Sequence, residues 1–155
     1  MIDSLKIRKA ISADAESIHK MIIELAEYEK LLDEVSISAT DLQKILDSRD
    51  SFVEILIAEY ENSPVGYALY FHNYSTFLGK AGIYLEDLFV KPEFRGKGIG
   101  RLLLEYIIKI AKERNCGRVE WSVLDWNEPA IEFYKNRGAH PLENWKIFRL
   151  TEDKF

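Results

Sequence analysis

Between Val90 and Leu102 the chain reads Lys91-Pro92-Glu93-Phe94-Arg95-Gly96-Lys97-Gly98-Ile99-Gly100-Arg101, with three glycines at alternate positions. Before this segment stands an apolar run, Ile83-Tyr84-Leu85-Glu86-Asp87-Leu88-Phe89-Val90, which reads as a strand ended by Lys91-Pro92, since proline cannot donate to a ladder. After it Ile99, Leu102, Leu103, Tyr106, Ile107, Ile110 and Ala111 recur at helical spacing, with Glu105/Lys109 and Lys109/Glu113 as i, i+4 pairs on the wet face. A strand, a run of glycines and then a helix N-terminus is a recurring way to bind phosphate. Glycines let a backbone approach an anion, freed N–H groups point at it, and the helix dipole favours negative charge. Arg95, Lys97 and Arg101 add positive charge around the turn in a chain whose net charge is −5. The turn therefore reads as an anion site; the competing reading is a bend that only needs positive φ.

Strand and helix patterns recur along the rest of the chain. Leu5-Lys6-Ile7-Arg8 alternates like a half-buried strand. Ile18, Met21, Ile22, Leu25 and Leu32 predict a helix capped by Ser12 or Asp14, and Thr40-Asp41-Leu42-Gln43 reads as a capping box opening a second, short helix. The apolar runs Phe52–Tyr60 and Val65–Tyr74 flank the turn residues Glu61-Asn62-Ser63-Pro64 and predict a hairpin. Asn115 to Gly117 stop the long helix, and Arg118 to Leu124 reads as a strand with Val119, Trp121 and Val123 on one face. Asn127 caps a last helix with Pro129 in its first turn, Gly138 ends it in a left-handed conformation, and Trp145-Lys146-Ile147-Phe148-Arg149-Leu150 forms a final strand. The order β-α-α-β-β-β-α-β-α-β implies a mixed α/β (α+β) sheet with helices on both faces, in one domain over residues 1–155.

With 47% hydrophobic and 12% aromatic residues, the chain has the material for a core, which excludes intrinsic disorder. The 21 basic against 26 acidic residues supply no concentrated basic face, so no nucleic-acid partner is expected. A single cysteine, Cys116, excludes a disulfide framework and multi-cysteine zinc. It follows a helix end without a nearby histidine, which disfavours a covalent acyl-enzyme. His19, His72 and His140 are far apart, so no metal is expected; His19 is placed on an exposed helix face. Met1 to Lys6 has no signal-peptide pattern, and no apolar run approaches the ~18 residues of a membrane span. A soluble cytoplasmic protein with no membrane partner is expected.

Neither common nucleotide motif fits the turn. Lys97 lies between glycines with no Ser or Thr following, unlike a P-loop, and the glycines are not spaced G-x-G-x-x-G. Arg95-x-x-Gly98-x-Gly100 after an apolar strand instead resembles the acyl-CoA pyrophosphate loop of the GNAT acetyltransferases. Tyr84 to Val90, the string Asp125-Trp126-Asn127-Glu128-Pro129-Ala130-Ile131-Glu132-Phe133-Tyr134-Lys135, and Gly138-Ala139 look like the spermidine/spermine and thialysine branch of that family. The resemblance extends from Glu24–Glu29 to Trp145–Leu150. It implies a mostly antiparallel central sheet of six to seven strands, acetyl-CoA as cosubstrate and a homodimer formed through the C-terminal strand region.

Amine acetylation needs an alkylammonium of pKa about 10.4 to lose a proton and a thiolate of pKa about 8.5 to gain one. The resemblance assigns Glu86 as the base, through water, and Tyr134 as the acid. It assigns the acyl-CoA to backbone groups of Leu88, Phe89 and Val90, to Arg95, Gly96, Lys97, Gly98, Ile99, Gly100 and Arg101, and to Asn127, Glu128, Pro129 and Ala130. It places the amine against Tyr28, Glu29, Glu86, Asp87, Glu120, Trp121 and Ser122. From the residues alone, Tyr134 also reads as a core aromatic, Glu29 and Glu120 as solvated charges, and Glu86 as an anchor rather than a base. In a regular strand Glu86 and Asp87 face opposite sides; a bulge, which the family is known for here, would change that.

Asn73-Tyr74-Ser75-Thr76-Phe77 lacks the acidic residue of polyamine-preferring members, and Ser75-Thr76 resembles the thialysine-preferring branch. A small diamine or ω-amino acid such as thialysine or ornithine is therefore expected over a long polyamine. The alternatives are a protein or peptide acetyltransferase and a non-catalytic acyl-CoA-binding module.

Overall fold

In the computed structural model, which describes residues 4–155, five strands form one sheet ordered β1-β2-β3-β4-β5. They are β1 (Leu5–Lys9), β2 (Val53–Tyr60), β3 (Ser63–Ser75), β4 (Lys80–Val90) and β5 (Val119–Glu120). The first three pairings are antiparallel and the last is parallel. The helices are α1 (Ala15–Tyr28), α2 (Ala39–Asp47), α3 (Ile99–Glu113) and α4 (Glu128–Lys135). The reading of Met1 to Asp3 lies outside the described residues. Backbone contacts divide the chain into one unit ending at Ser122 and another beginning at Val123.

In the first unit the pleat sorts the core. Ile55 and Ile57 of β2 and Tyr67 of β3 pack with Ala15, Ile18 and Met21 of α1 and Leu42 of α2. Leu56 and Ala58 are equally buried and point the other way, to the face where α3 lies across β1 to β4. Helices thus cover both faces. The stripe of α3 is Ile99, Leu103, Leu104, Ile107, Ile110 and Ala111; Leu102, expected inside, is 42% exposed, and Leu104 takes its place. The β2–β3 turn is tighter than expected. Glu61 and Asn62 both have positive φ, the geometry of a two-residue hairpin turn, so Ser63 and Pro64 belong to β3.

Four further expectations are corrected. The second helix is capped at Ser38, not Thr40: Ser38 Oγ accepts from Asp41 N at 3.1 Å while Asp41 Oδ2 accepts from Ser38 N at 2.9 Å. Asp14 stands at the N-cap position of α1, as expected, but its side chain bonds no amide of that helix; it accepts from Ile11 N, which starts the 3-10 turn Ser12–Asp14, and from both Arg8 Nη atoms. The strand expected over Arg118 to Leu124 shrinks to Val119–Glu120. Residues 145–150 form no strand, so the sheet has five strands rather than six or seven. The pattern in Trp145–Leu150 is strand-like, but a strand exists only where another edge pairs with it.

Candidate active site

β4 carries the chemistry-bearing part of the first unit. Its register against β3 passes from Leu69↔Asp87 to Tyr70↔Leu85, so Glu86 is the extra residue of a β-bulge. Glu86 is exposed and Asp87 half-buried. Tyr67, wholly buried, donates its hydroxyl hydrogen to Asp87 Oδ2 at 3.0 Å. Burial pushes the Asp87 carboxyl up to about 6; the Tyr67 hydrogen bond works against that, and the negative charges of Glu86 and Glu29 add to it. Glu29, the residue after α1, is itself raised by burial. The charges of Glu29 and Glu86 thus both act on Asp87, and a cation beside Asp87 would favour its ionised form.

The same strand has an open edge. β5 pairs with β4 only at Ile83↔Val119 and Tyr84↔Glu120, whereas β4 continues to Val90. Among the described residues no strand flanks that side of β4 from Leu85 onward. Lys91 N donates to Val65 O at 2.9 Å. Backbone direction alternates along an antiparallel pair, so the N–H and C=O groups of Phe89 turn toward β3 and those of Leu88 and Val90 turn away. Leu88 and Val90 thus present main-chain donors and acceptors along the open side, an arrangement that suits an extended, amide-bearing ligand.

β4 leads into the glycine turn. Gly96 and Gly98 have φ of +74° and +82°, with nothing within 4 Å of where a Cβ would stand. Gly98 opens α3 without a side-chain cap, and the first turn holds no acidic residue. The first-turn amides of α3 have no intrahelical acceptor, and this bare, glycine-lined helix start fits a phosphate. The cations around it are engaged elsewhere. Arg101 Nε donates to Glu105 Oε1 at 2.6 Å, and Lys97 Nζ sits 5.1 Å from the Phe94 ring centre. Arg95 Nε donates to the Val90 carbonyl at 2.8 Å, and its guanidinium lies 5.0 Å from the Tyr28 ring and 5.5 Å from that of Phe89.

Of the remaining amine candidates, Glu120 is bound up with its neighbours: its Oε1 accepts from Arg118 Nε at 2.9 Å and Asn73 Nδ2 at 3.3 Å. Ser122 Oγ shares a hydrogen bond with Tyr84 Oη at 2.9 Å, and Trp121 is half-buried. In the second unit Asn127 caps α4, its Oδ1 accepting from Ala130 N at 3.4 Å, with Glu128 and Pro129 in the first turn. Tyr134, half-buried on α4, stacks edge-on with Phe133 at 5.2 Å, and Gly138 ends the helix region with φ of +83°. The structure thus groups Glu29, Glu86 and Asp87, and separately Tyr28 with Arg95 and Phe89. Sequence reading missed Tyr67 as the partner of Asp87, because a tyrosine in an apolar strand carries no signal beyond core packing.

Two histidine readings change. Cys116 does have a nearby histidine, with Sγ 4.0 Å from His72 Nδ1, which also approaches the Gly82 carbonyl at 2.9 Å. His19 is half-buried rather than exposed, with Nε2 3.0 Å from the Ile37 carbonyl. Among the described residues no group of three His, Cys, Asp or Glu side chains could hold a metal ion, and no helix is long and apolar enough to cross a membrane.

The glycine-lined helix start and the bulged, open-edged strand lie within residues 18–139, which match the model of the acetyltransferase (GNAT) family. The chain belongs to that family and is an N-acetyltransferase. It is 42% identical to the thialysine N-epsilon-acetyltransferase of Sus scrofa, over 95% of this chain and 92% of that protein. It is 48% identical to the L-ornithine N5-acetyltransferase NATA1 of Arabidopsis thaliana over 57% of this chain and 39% of that one. Among solved structures, an integron cassette protein from the mobile metagenome of V. cholerae superposes with a TM-score of 0.80 at 28% identity, covering 97% of this chain and 94% of that one.

Proposed function

We propose that this chain, as one domain over residues 1–155, transfers acetyl from acetyl-CoA directly to a small primary amine: thialysine, ornithine, a similar ω-amino acid or a diamine. The observation that carries the reading is the continuity, along β4, of an anionic group at Glu86 and Asp87 with an open main-chain edge at Leu88 and Val90. The first suits a primary ammonium and the second an acyl carrier. The similarity to thialysine and ornithine acetyltransferases supports the amine class.

When bound, acetyl-CoA supplies a thioester carbonyl as the electrophile. The amides of residues 96–101 hold its pyrophosphate, Leu88, Phe89 and Val90 offer backbone groups to the pantetheine arm and acetyl oxygen, and the family resemblance gives Asn127 to Ala130 to the same cosubstrate. A main-chain N–H at the acetyl oxygen stabilises the charge that develops there. Tyr28, Glu29, Asp87, Glu120, Trp121 and Ser122 orient the amine, and Glu86 takes its proton through water. The C–N bond forms as the C–S bond breaks, and Tyr134 returns a proton to the departing sulfur. In the test, acetyl-CoA is mixed with a panel of amines while free thiol is followed. Release with a small ω-amine above lysyl peptides is expected. Faster release with peptides would make the protein a peptide acetyltransferase, and CoA binding without release would leave only an acyl-CoA-binding module.

The same reading includes a homodimer in the cytoplasm. Trp145, Ile147, Phe148 and Leu150 are 77, 78, 92 and 67% exposed, which suits a strand that pairs with a second copy.

A further inference from the structure

Arg95 opens the Arg95-x-x-Gly98-x-Gly100 motif and is one of the three cations around the glycine turn. Its contacts describe another task. The backbone groups of Val90 point to the open side of β4, and the Val90 carbonyl is the last acceptor on that edge. Arg95 Nε closes it at 2.8 Å. The guanidinium that makes this bond also lies 5.5 Å from the ring of Phe89, the residue before Val90, and 5.0 Å from the ring of Tyr28. Tyr28 is the last residue of α1, immediately before Glu29. One side chain therefore touches the end of the acyl-carrier edge and the end of the helix that delivers Glu29. A guanidinium is planar and suited to stacking on rings while its N–H groups bond an acceptor in their plane, which an ammonium cannot reproduce.

We infer that Arg95 is a positioning residue for the amine: it fixes Tyr28, and through it Glu29, against the end of β4 instead of ligating phosphate. This rests on the proposed function for its amine readout only. The test is a double-mutant cycle with Arg95→Gln, Tyr28→Leu and the pair. KM is measured for the amine turned over fastest, CoA affinity by calorimetry, and the Tyr28 ring resonances by NMR on tyrosine-labelled protein.

Arg95→Gln is expected to raise the amine KM about tenfold, within the range of a desolvated cation–π contact. CoA affinity is expected to change by less than about threefold, since the phosphate is left to backbone amides. The double variant is expected to be no worse than Tyr28→Leu, and Arg95→Lys, which keeps the charge but not the fork, to fall between. A CoA affinity lowered about tenfold with an unchanged amine KM would make Arg95 a phosphate ligand and overturn the inference, as would additive effects in the cycle. If the parent protein acetylates no amine, the proposed function fails and the inference is judged on the other two readouts. Tyr28 resonances that move on Arg95→Gln at unchanged CoA affinity support it; resonances that stay, or a lost CoA affinity, overturn it.

Discussion

Glu86 and Asp87 are neighbours in the chain with opposite surroundings, one exposed on a bulge and one held against a buried tyrosine. For Asp87 the consequence is measurable without any substrate. Its folded carboxyl titrates near 6, above the ordinary 3.8, so the native state takes up a proton that the unfolded chain has lost. Its contribution is most favourable below pH 3.8 and is lost as pH rises through 6. Asp87→Asn keeps an acceptor for Tyr67 and removes this cost. Relative to the parent, the variant should gain stability between pH 4 and pH 6.5 by about 2 kcal/mol and then level off, as read by urea denaturation across pH. Tyr134 makes a different kind of prediction. Tyr134→Phe keeps the ring contact with Phe133 and removes the hydroxyl proposed to return the proton, so on that reading CoA affinity should hold while kcat falls by about 10²–10⁴. A variant with the parent's kcat would remove Tyr134 from that role. At this scale the sequence pointed to Glu86 and Tyr134 through family motifs, but it hid the Asp87–Tyr67 pair, because the two residues lie on different strands and meet only through the sheet register.

The elements show where local pattern suffices and where it does not. Most of the α3 stripe (Leu102 and Leu104 excepted), the cap of α4 at Asn127 and the β2–β3 hairpin were legible because spacing and turn chemistry act within a few residues. The second helix start was misplaced by two positions, since Ser38 and Thr40 both suit a cap and only the reciprocal bonds with Asp41 decide. α3 also shows what a single backbone angle demands. Gly98→Ala puts a Cβ at φ of +82°, which should cost about 1 kcal/mol of stability and tilt the first-turn amides, lowering CoA affinity in calorimetry. At the far end of α3 its C-cap, Arg114, binds Glu54 of β2 with two hydrogen bonds, of 2.5 and 2.8 Å, and its Nη1 lies 2.9 Å from His72 Nε2. The Arg114 bonds hold the Glu54 carboxyl below its usual range despite partial burial. That contribution is present above pH 4.5 and is lost as pH falls through the depressed folded value. Glu54→Gln should therefore cost about 1 kcal/mol at pH 7 and progressively less in acid, seen in the same denaturation series.

For the whole molecule, the strand-like stretch near the C-terminus is the clearest case of a pattern without a local partner. Its apolar and aromatic content is visible in the sequence, but among the described residues no edge pairs with it. If a second copy supplies that edge, replacing Trp145 and Phe148 with glutamate should convert a dimer into monomers by light scattering, and a parent protein that is already monomeric would end the homodimer reading. The fold class was readable because strand and helix periods differ along the chain, whereas strand count depends on pairings that no single segment records. The unpaired edge of β4, if it seats the acyl carrier as proposed, has a consequence for how such an enzyme can change. A carrier held by peptide groups is recognised without regard to which side chains flank it. Mutations that recut the acceptor pocket can then accumulate while the donor stays seated, so new amine preferences can arise one substitution at a time on a scaffold that keeps its reagent.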